Sequence, residues 1–334
     1  MRRVAFGLIA LLIVVAATGL AGLWWLSTWF DRPGPLGAPA VVMLPPGAGL
    51  GGIAGRLERA GAIANADLFA LAVIGARAEG ALQAGEYRLE AAVSPRAVME
   101  QLVAGRTVVH RLTVPEGLTS AEIVALVETD DALSGIVAAR PPEGSLLPET
   151  YHFARGDDRS ALLARMAAEM TRALGELWSA RSADLPLDTV GDALILASII
   201  EKETGLAIER PRIAGVFVNR LRKGMRLQSD PTVVYGLTGG DGPLDRALTR
   251  ADLAQAHAYN TYIIKGLPTG PIANPGRASI AAALNPEETE DLYFVADGSG
   301  GHAFARTLAE HNRNVARWRR AVKSAPPPGE AGAR

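Results

Sequence analysis

The longest pattern in the chain is an apolar one: residues 4 to 30, VAFGLIALLIVVAATGLAGLWWLSTWF, carry no charge, and Arg2 and Arg3 stand before them. A helix rises about 1.5 Å per residue and about 20 apolar residues cross a hydrocarbon core, so the run predicts a transmembrane helix. Trp24, Trp25 and Trp29 gather at its far end, where amphipathic rings favour a bilayer interface. A cleaved signal peptide has a shorter apolar stretch and a small-residue exit site, so a retained anchor is expected. The paired arginines put residues 1–3 in the cytoplasm and the rest of the chain outside.

After it comes DRPGPLGAPA, residues 31–40, a Pro/Gly linker that cannot be helical and is expected to lift the downstream chain off the bilayer. Next comes a weak internal repeat. PPGAGLGGIAGRLE from Pro45 and PEGLTSAEIVALVE from Pro115 share Pro-x-Gly, an Ile six positions after the Gly, and a closing Glu. Each follows a strand-like run, VVML or VVHRLTV, so two strand-turn-helix units are predicted. In the first, LFALAVIGARA reads as a further helix, GEYRLE as a short alternating strand and SPRAVMEQLVAG as a helix capped by Ser94. Residues 41–110 thus make a small α/β module. From 111 to 322 helical patterns dominate until DLYFVADGSGGHAFAR, where two strand-like runs flank a Gly-rich turn and predict a hairpin. Leu308, Val315 and Trp318 then fall at helical spacing, and residues 323–334 read as a disordered tail. The fold class is α+β.

Composition narrows the chemistry. With 34 basic and 35 acidic residues the net charge is −1, so nothing suggests a nucleic acid partner. The absence of cysteine excludes disulfides and thiolate metal sites. GAGLGG fits G-x-G-x-x-G, but Pro45 and Pro46 interrupt the turn and no acidic residue closes a second strand. LPETY at 147–151 resembles a sorting signal without its final Gly or a C-terminal membrane segment. His110, His152, His257, His302 and His311 show no metal-ligand spacing, and Ser198 lacks nucleophile-elbow glycines. No metal or cofactor is expected.

One helix stands out. Thr189 with Asp192 opens it as a capping box, Gly205 is placed to end it, and Leu194, Ala197, Ser198 and Glu201 share one stripe. A carboxylate in an apolar run is either an acid held for chemistry or a glutamate bridged to Arg210 or Arg212. Glu203 lies about 200° around the axis and is expected to face solvent. Downstream, ERPRIAGVFVNRLRKGM predicts a second amphipathic helix between Pro211 and Gly224. The stretches RLQSDPTVVYG and AYNTYIIKGLPTGPIANPG read as proline-stiffened loops. There Gln228, Ser229, Asp230, Tyr235, Asn260, Thr261 and Tyr262 offer the hydrogen bonds and flat rings that sugar ligands need.

ASIIEKETG, RPRIAGVFVNRLRKGMRLQSDPTVVYG, YNTYIIKGLPTGPIANPG and LYFVADGSGGHAFARTLAEHN, in this order, closely resemble the endolytic murein transglycosylase (YceG-like) family over residues 41 to 320. GSLLPETYHF departs from many relatives, which carry an aromatic residue and an Asp there. The resemblance implies a single-pass protein of the inner membrane. Its parts would be a LysM-like module and a periplasmic catalytic domain that cleaves nascent peptidoglycan glycan strands, with Glu201, from the EKET motif, as the catalytic residue. The expected partners are glycan strands and the membrane, with peptidoglycan synthases as candidate protein partners. Water-using glycosidases need two carboxyl groups. If the sugar's own C6 hydroxyl attacks, one acid suffices, giving its proton to the glycosidic oxygen, recovering it from the hydroxyl and leaving a 1,6-anhydro end. On this reading the apolar helix keeps Glu201 protonated until substrate arrives. The rival reading is a peptidoglycan-binding scaffold without chemistry.

Overall fold

A computed structural model describes residues 2–324 of the chain. The expected tail from 323 lies almost wholly outside these residues. Two compact units are present, one of residues 1–110 with 152–157 and the other of 111–151 with 158–334.

The first unit begins with α1 (Arg2–Asp31), apolar and long enough to cross a membrane, with Trp24 and Trp25 exposed near its end. Its last turn is not free. Phe30 is 3% exposed and packs on Phe69 with ring centroids 6.1 Å apart, and Asp31 pairs with Arg96. The linker is likewise tied down: Gly34 N–H donates to the carbonyl of Val93 at 3.1 Å, and Ala92 N–H to that of Leu36 at 2.8 Å. A Cβ on Gly34 would collide with the Val93 oxygen, so only glycine lets the backbones come this close. The expected free spacer is therefore a docked segment. Its apolar neighbours Leu26, Trp29 and Leu36 join the unit's core, which outweighs the flexibility that Pro and Gly suggest.

That core lies under one small sheet. β1 (Ala40–Leu44) pairs antiparallel with β2 (Gly85–Leu89), Ala40 opposite Leu89. Alternation turns Val42, Leu44, Tyr87 and Leu89 inward and leaves Val41 and Met43 outside. Between the strands run α2 (Leu50–Arg59) and α3 (Ala66–Gly75), the latter capped by Asn65; α4 (Pro95–Val103) comes after β2, capped by Ser94 as its sequence predicts.

Strands β3 (Val109–Thr113) and β4 (Thr150–Ala154) form a second two-stranded sheet. The second unit is mostly helical. It comprises α5 (Ser120–Glu128), α6 (Arg159–Ser179), α7 (Val190–Glu203), α8 (Arg210–Arg222), α9 (Asp230–Thr238), the short α10 (Arg250–Ala254) and α11 (Arg277–Leu284). The predicted hairpin comes next, β5 (Tyr293–Ala296) against β6 (His302–Ala305), then α12 (Leu308–Ser324). α7 is the axis of this unit: Leu196, Ala197, Ser198, Ile199 and Ile200 are all fully buried, because α6, α8, α9 and α11 pack around it. A helix apolar on every side has no solvent face to offer.

Two sequence readings change here. Residues 226–236, expected as a loop, turn helical at Asp230–Pro231, since proline suits the first helical turn. α7 ends at Glu203, ahead of Gly205. Thr204 leaves it in an extended conformation and its Oγ1 accepts from Leu206 N–H at 3.0 Å, so no left-handed glycine is used.

Candidate active site

The capping box fixes the start of α7: Thr189 Oγ1 accepts from Asp192 N–H at 3.1 Å, and the Asp192 carboxylate accepts from Thr189 N–H at 2.8 Å. Its last turn delivers Glu201, Lys202 and Glu203 to three different surroundings.

Glu201 is 4% exposed at its side chain. Its Oε1 accepts from the Arg210 guanidinium at 3.0 Å and its Oε2 from Gly276 N–H at 2.9 Å. The same Arg210 reaches Glu116 at 2.8 Å. The carboxylate thus lies in a nest of donors, unlike the apolar pocket expected for it. This cluster ties α7 and α8 to the Pro115–Gly117 turn and to the start of α11. Gly276 is part of the fit, since a Cβ there would run into the Glu116 carboxylate.

Glu203, expected in solvent, is instead partly buried and turned into a cavity, because the opposite side of α7 is covered too. Ser229 Oγ donates to its Oε1 at 2.5 Å, and burial pushes the Glu203 carboxyl above the usual glutamate range. It lines a cavity of about 550 Å³ with Arg220, Gln228, Asp230, Tyr262 and His302. Glu201 does not line it. A second cavity, about 420 Å³ and more apolar, is bordered by Lys202, Tyr235 and Leu244 and shares Asp230 with the first.

Three of the residues expected to bind sugar therefore face Glu203. Tyr262 Oη donates to Asp230 Oδ1 at 2.6 Å, and burial raises its phenol above the ordinary value. Gln228 sits at φ +52°, a left-handed position that is costly outside glycine. Arg220 pins it there, donating to the Leu227 carbonyl at 2.8 Å and the Leu292 carbonyl at 2.6 Å. Ser229 serves Glu203. Tyr235 is half-buried against Tyr259, with ring centroids 4.8 Å apart, and donates to Glu143 at 3.3 Å. Asn260 and Thr261 do not reach the cavity, for both are fully buried. Asn260 Nδ2 satisfies the carbonyls of Leu253 at 3.1 Å and Gln255 at 2.7 Å, and Thr261 Oγ1 accepts from Ser229 N–H at 3.0 Å. Buried loop backbone needs such partners, which explains the amides and hydroxyls better than sugar contact does. Ser198 has a similar task, accepting from Ile272 N–H at 3.0 Å.

Glu203, Arg220, Tyr293, His302 and His311 are the cavity residues that sequence reasoning missed. The unbroken apolar run before Glu201 was the available signal: it implies burial on all sides of α7.

The Glu203 environment has a measurable consequence. A folded-state pKa raised above the unfolded value gives a contribution that is fully present below about pH 4 and is lost as pH rises through the folded value. Glu203→Gln removes that loss, so its melting temperature relative to the parent is expected to climb between about pH 4 and pH 7. Thermal unfolding across that range checks it, and a difference independent of pH would contradict the burial.

The sequence model of the YceG-like family matches residues 42–317, and the chain belongs to this family. Among curated proteins it is 32% identical to an endolytic murein transglycosylase of Bacillus subtilis, covering 81% of this chain and 82% of that one. To the endolytic murein transglycosylase of Streptococcus pneumoniae serotype 2 it is 28% identical, over 92% of this chain and 64% of the other. A crystal structure of a yceG-like protein from Listeria monocytogenes covers 82% of this chain at 32% identity and a TM-score of 0.50.

Proposed function

We propose that this chain is a lytic transglycosylase of peptidoglycan, held by α1 in the inner membrane with both units on the periplasmic side, and that Glu203 is its acid. Membership of a family whose relatives are named endolytic murein transglycosylases supports the reaction class. The single observation that carries the assignment of the acid is the Glu203 carboxyl: burial favours its protonated form, and it lines the cavity that also holds Gln228, Asp230 and Tyr262. A general acid working near neutral pH needs this kind of upward displacement. Glu201 has the same motif behind it, but both of its oxygens are taken by Arg210 and Gly276, so the geometry favours a structural clamp there.

In the reaction, Glu203 gives its proton to the glycosidic oxygen between MurNAc and GlcNAc as the bond from that oxygen to C1 of MurNAc breaks. The C6 hydroxyl of the same MurNAc closes onto C1, and the strand ends in a 1,6-anhydro ring. Tethering that nucleophile replaces a water-activating carboxylate and is worth roughly 7–11 kcal/mol in favourable cases. The Asp230 carboxylate, oriented by Tyr262, would stabilise the positive charge growing on the ring. The first unit, with its β1-α2-α3-β2 order, fits a LysM-like module for holding the strand.

Digesting purified peptidoglycan with the full chain in detergent and identifying the new termini tests the proposal. Anhydro-muramic ends are expected. Reducing ends would make the protein a hydrolase, and no new ends would leave a binding scaffold.

A further inference from the structure

The transglycosylation scheme leaves one proton to place, that of the attacking C6 hydroxyl. Resting on that scheme, we propose that His302 receives this proton on Nε2, with Glu209 holding the ring in the orientation and tautomer the transfer needs.

The arrangement is a carboxylate–histidine pair built into the hairpin. His302 Nδ1 lies 2.7 Å from Glu209 Oε2, and the backbone N–H of His302 donates to Glu209 Oε1 at 2.9 Å. Thr204 Oγ1 donates to Oε2 as well, at 3.4 Å. A carboxylate engaged by donors at both oxygens accepts from Nδ1, so the Nδ1 edge of the ring carries its proton and Nε2 is left as an acceptor. Among the described residues Nε2 meets no hydrogen-bond partner, and His302 lines the Glu203 cavity. Phe294 stands edge-on to the imidazole, with centroids 5.3 Å apart and planes at 90°, and fixes its tilt. The glycine-rich turn is fitted to the same end: a Cβ on Gly301 would stand 2.8 Å from Glu209 Oε1. Gly301 is thus needed to let the carboxylate in, beyond making the turn.

The charged and titratable groups facing His302 are few. Glu203 comes from α7, Arg220 from α8, Asp230 from α9, His311 from α12 and Tyr262 and Tyr293 from the cavity wall, with Glu209 and Asp297 on its flanks. Burial lowers the proton affinity of His311, and the Arg220 guanidinium has no lone pair to offer and is spent on backbone carbonyls, so neither competes as base. The step balances. Glu203 loses its proton to the leaving oxygen, His302 gains one from the C6 hydroxyl as that oxygen bonds to C1, and proton transfer from imidazolium to carboxylate restores both. Splitting acid and base between two groups frees the step from waiting for one carboxylate to serve both ends of the bond.

The test uses the full chain in detergent with purified glycan strands. His302→Ala is expected to lower kcat by roughly 10²–10³-fold with KM within a few-fold of the parent. Added imidazole should restore part of the rate, and the acidic limb of the pH–rate profile, where a protonated base stops the reaction, should flatten. Glu209→Gln keeps the side-chain shape but offers one acceptor oxygen where the carboxylate uses two, and removes the charge behind Nδ1–H, so it is expected to cost about tenfold or more in kcat. If His302→Ala forms anhydro ends at the parent rate with an unchanged pH profile, this inference fails while the transglycosylase reading stands. If the parent itself leaves reducing ends or none, both fall together.

Discussion

Glu203→Gln is expected to lose roughly 10²–10⁴-fold in the rate of anhydro-end formation while folding at least as well as the parent. The amide keeps an oxygen for Ser229 Oγ to donate to, so the link between α7 and the start of α9 survives. It also takes an acid out of a site where burial penalises the charged form, which relieves the folded state instead of straining it. Loss of cleavage together with retained melting temperature therefore isolates chemistry from folding. Rates measured on purified glycan strands, with melting temperatures beside them, decide the matter. An amide variant that cuts as fast as the parent removes Glu203 from the reaction.

Arg210→Met is expected to destabilise the second unit by about 3–5 kcal/mol, since removing one partner of a buried pair leaves the other charge unpaired. Here the stranded group is Glu201, with a 4% exposed side chain, and Glu116 lies beside it. At about 2–4 °C per kcal/mol for a unit of this size, the melting temperature should fall by roughly 6–20 °C. Pairing the change with Glu201→Gln should recover part of the loss, because the unpaired charge is then gone. Glu201→Gln alone should cleave near the parent rate at temperatures where it remains folded. Equal melting of Arg210→Met and parent would refute the clamp, and loss of cleavage in a fully folded Glu201→Gln would return the acid to position 201.

The elements set by local chemistry were legible in advance. Thr189 with Asp192, Ser94 as a cap, the alternation of GEYRLE and the glycines between β5 and β6 each act over a few residues, and each forms where the pattern predicts. The site was legible only as a region. A helical wheel for α7 separates Glu201 from Glu203 correctly, yet assigns one side to water because it assumes one-sided packing, whereas ILASII sits at the centre of four helices. Which carboxyl meets Ser229, 26 positions later, is decided by long-range packing that no periodicity records. Polarity misled in the same way at Asn260, whose amide is spent on the carbonyls at the end of α10. Three of the seven residues expected to bind sugar, Gln228, Asp230 and Tyr262, line the Glu203 cavity.

The seating of Phe30 and Leu36 in the first unit's core bears on how the protein would reach the polymer proposed as its substrate. A flexible leash would let that unit sample a broad shell above the lipid, and lengthening the leash would widen the shell. Here Phe30 at the end of α1 packs inside the unit, so with α1 in the bilayer as proposed, the altitude of the unit would follow how deep α1 sits and which way it tilts. Inserting residues between Asp31 and Ala40 would then loosen a joint instead of extending an arm.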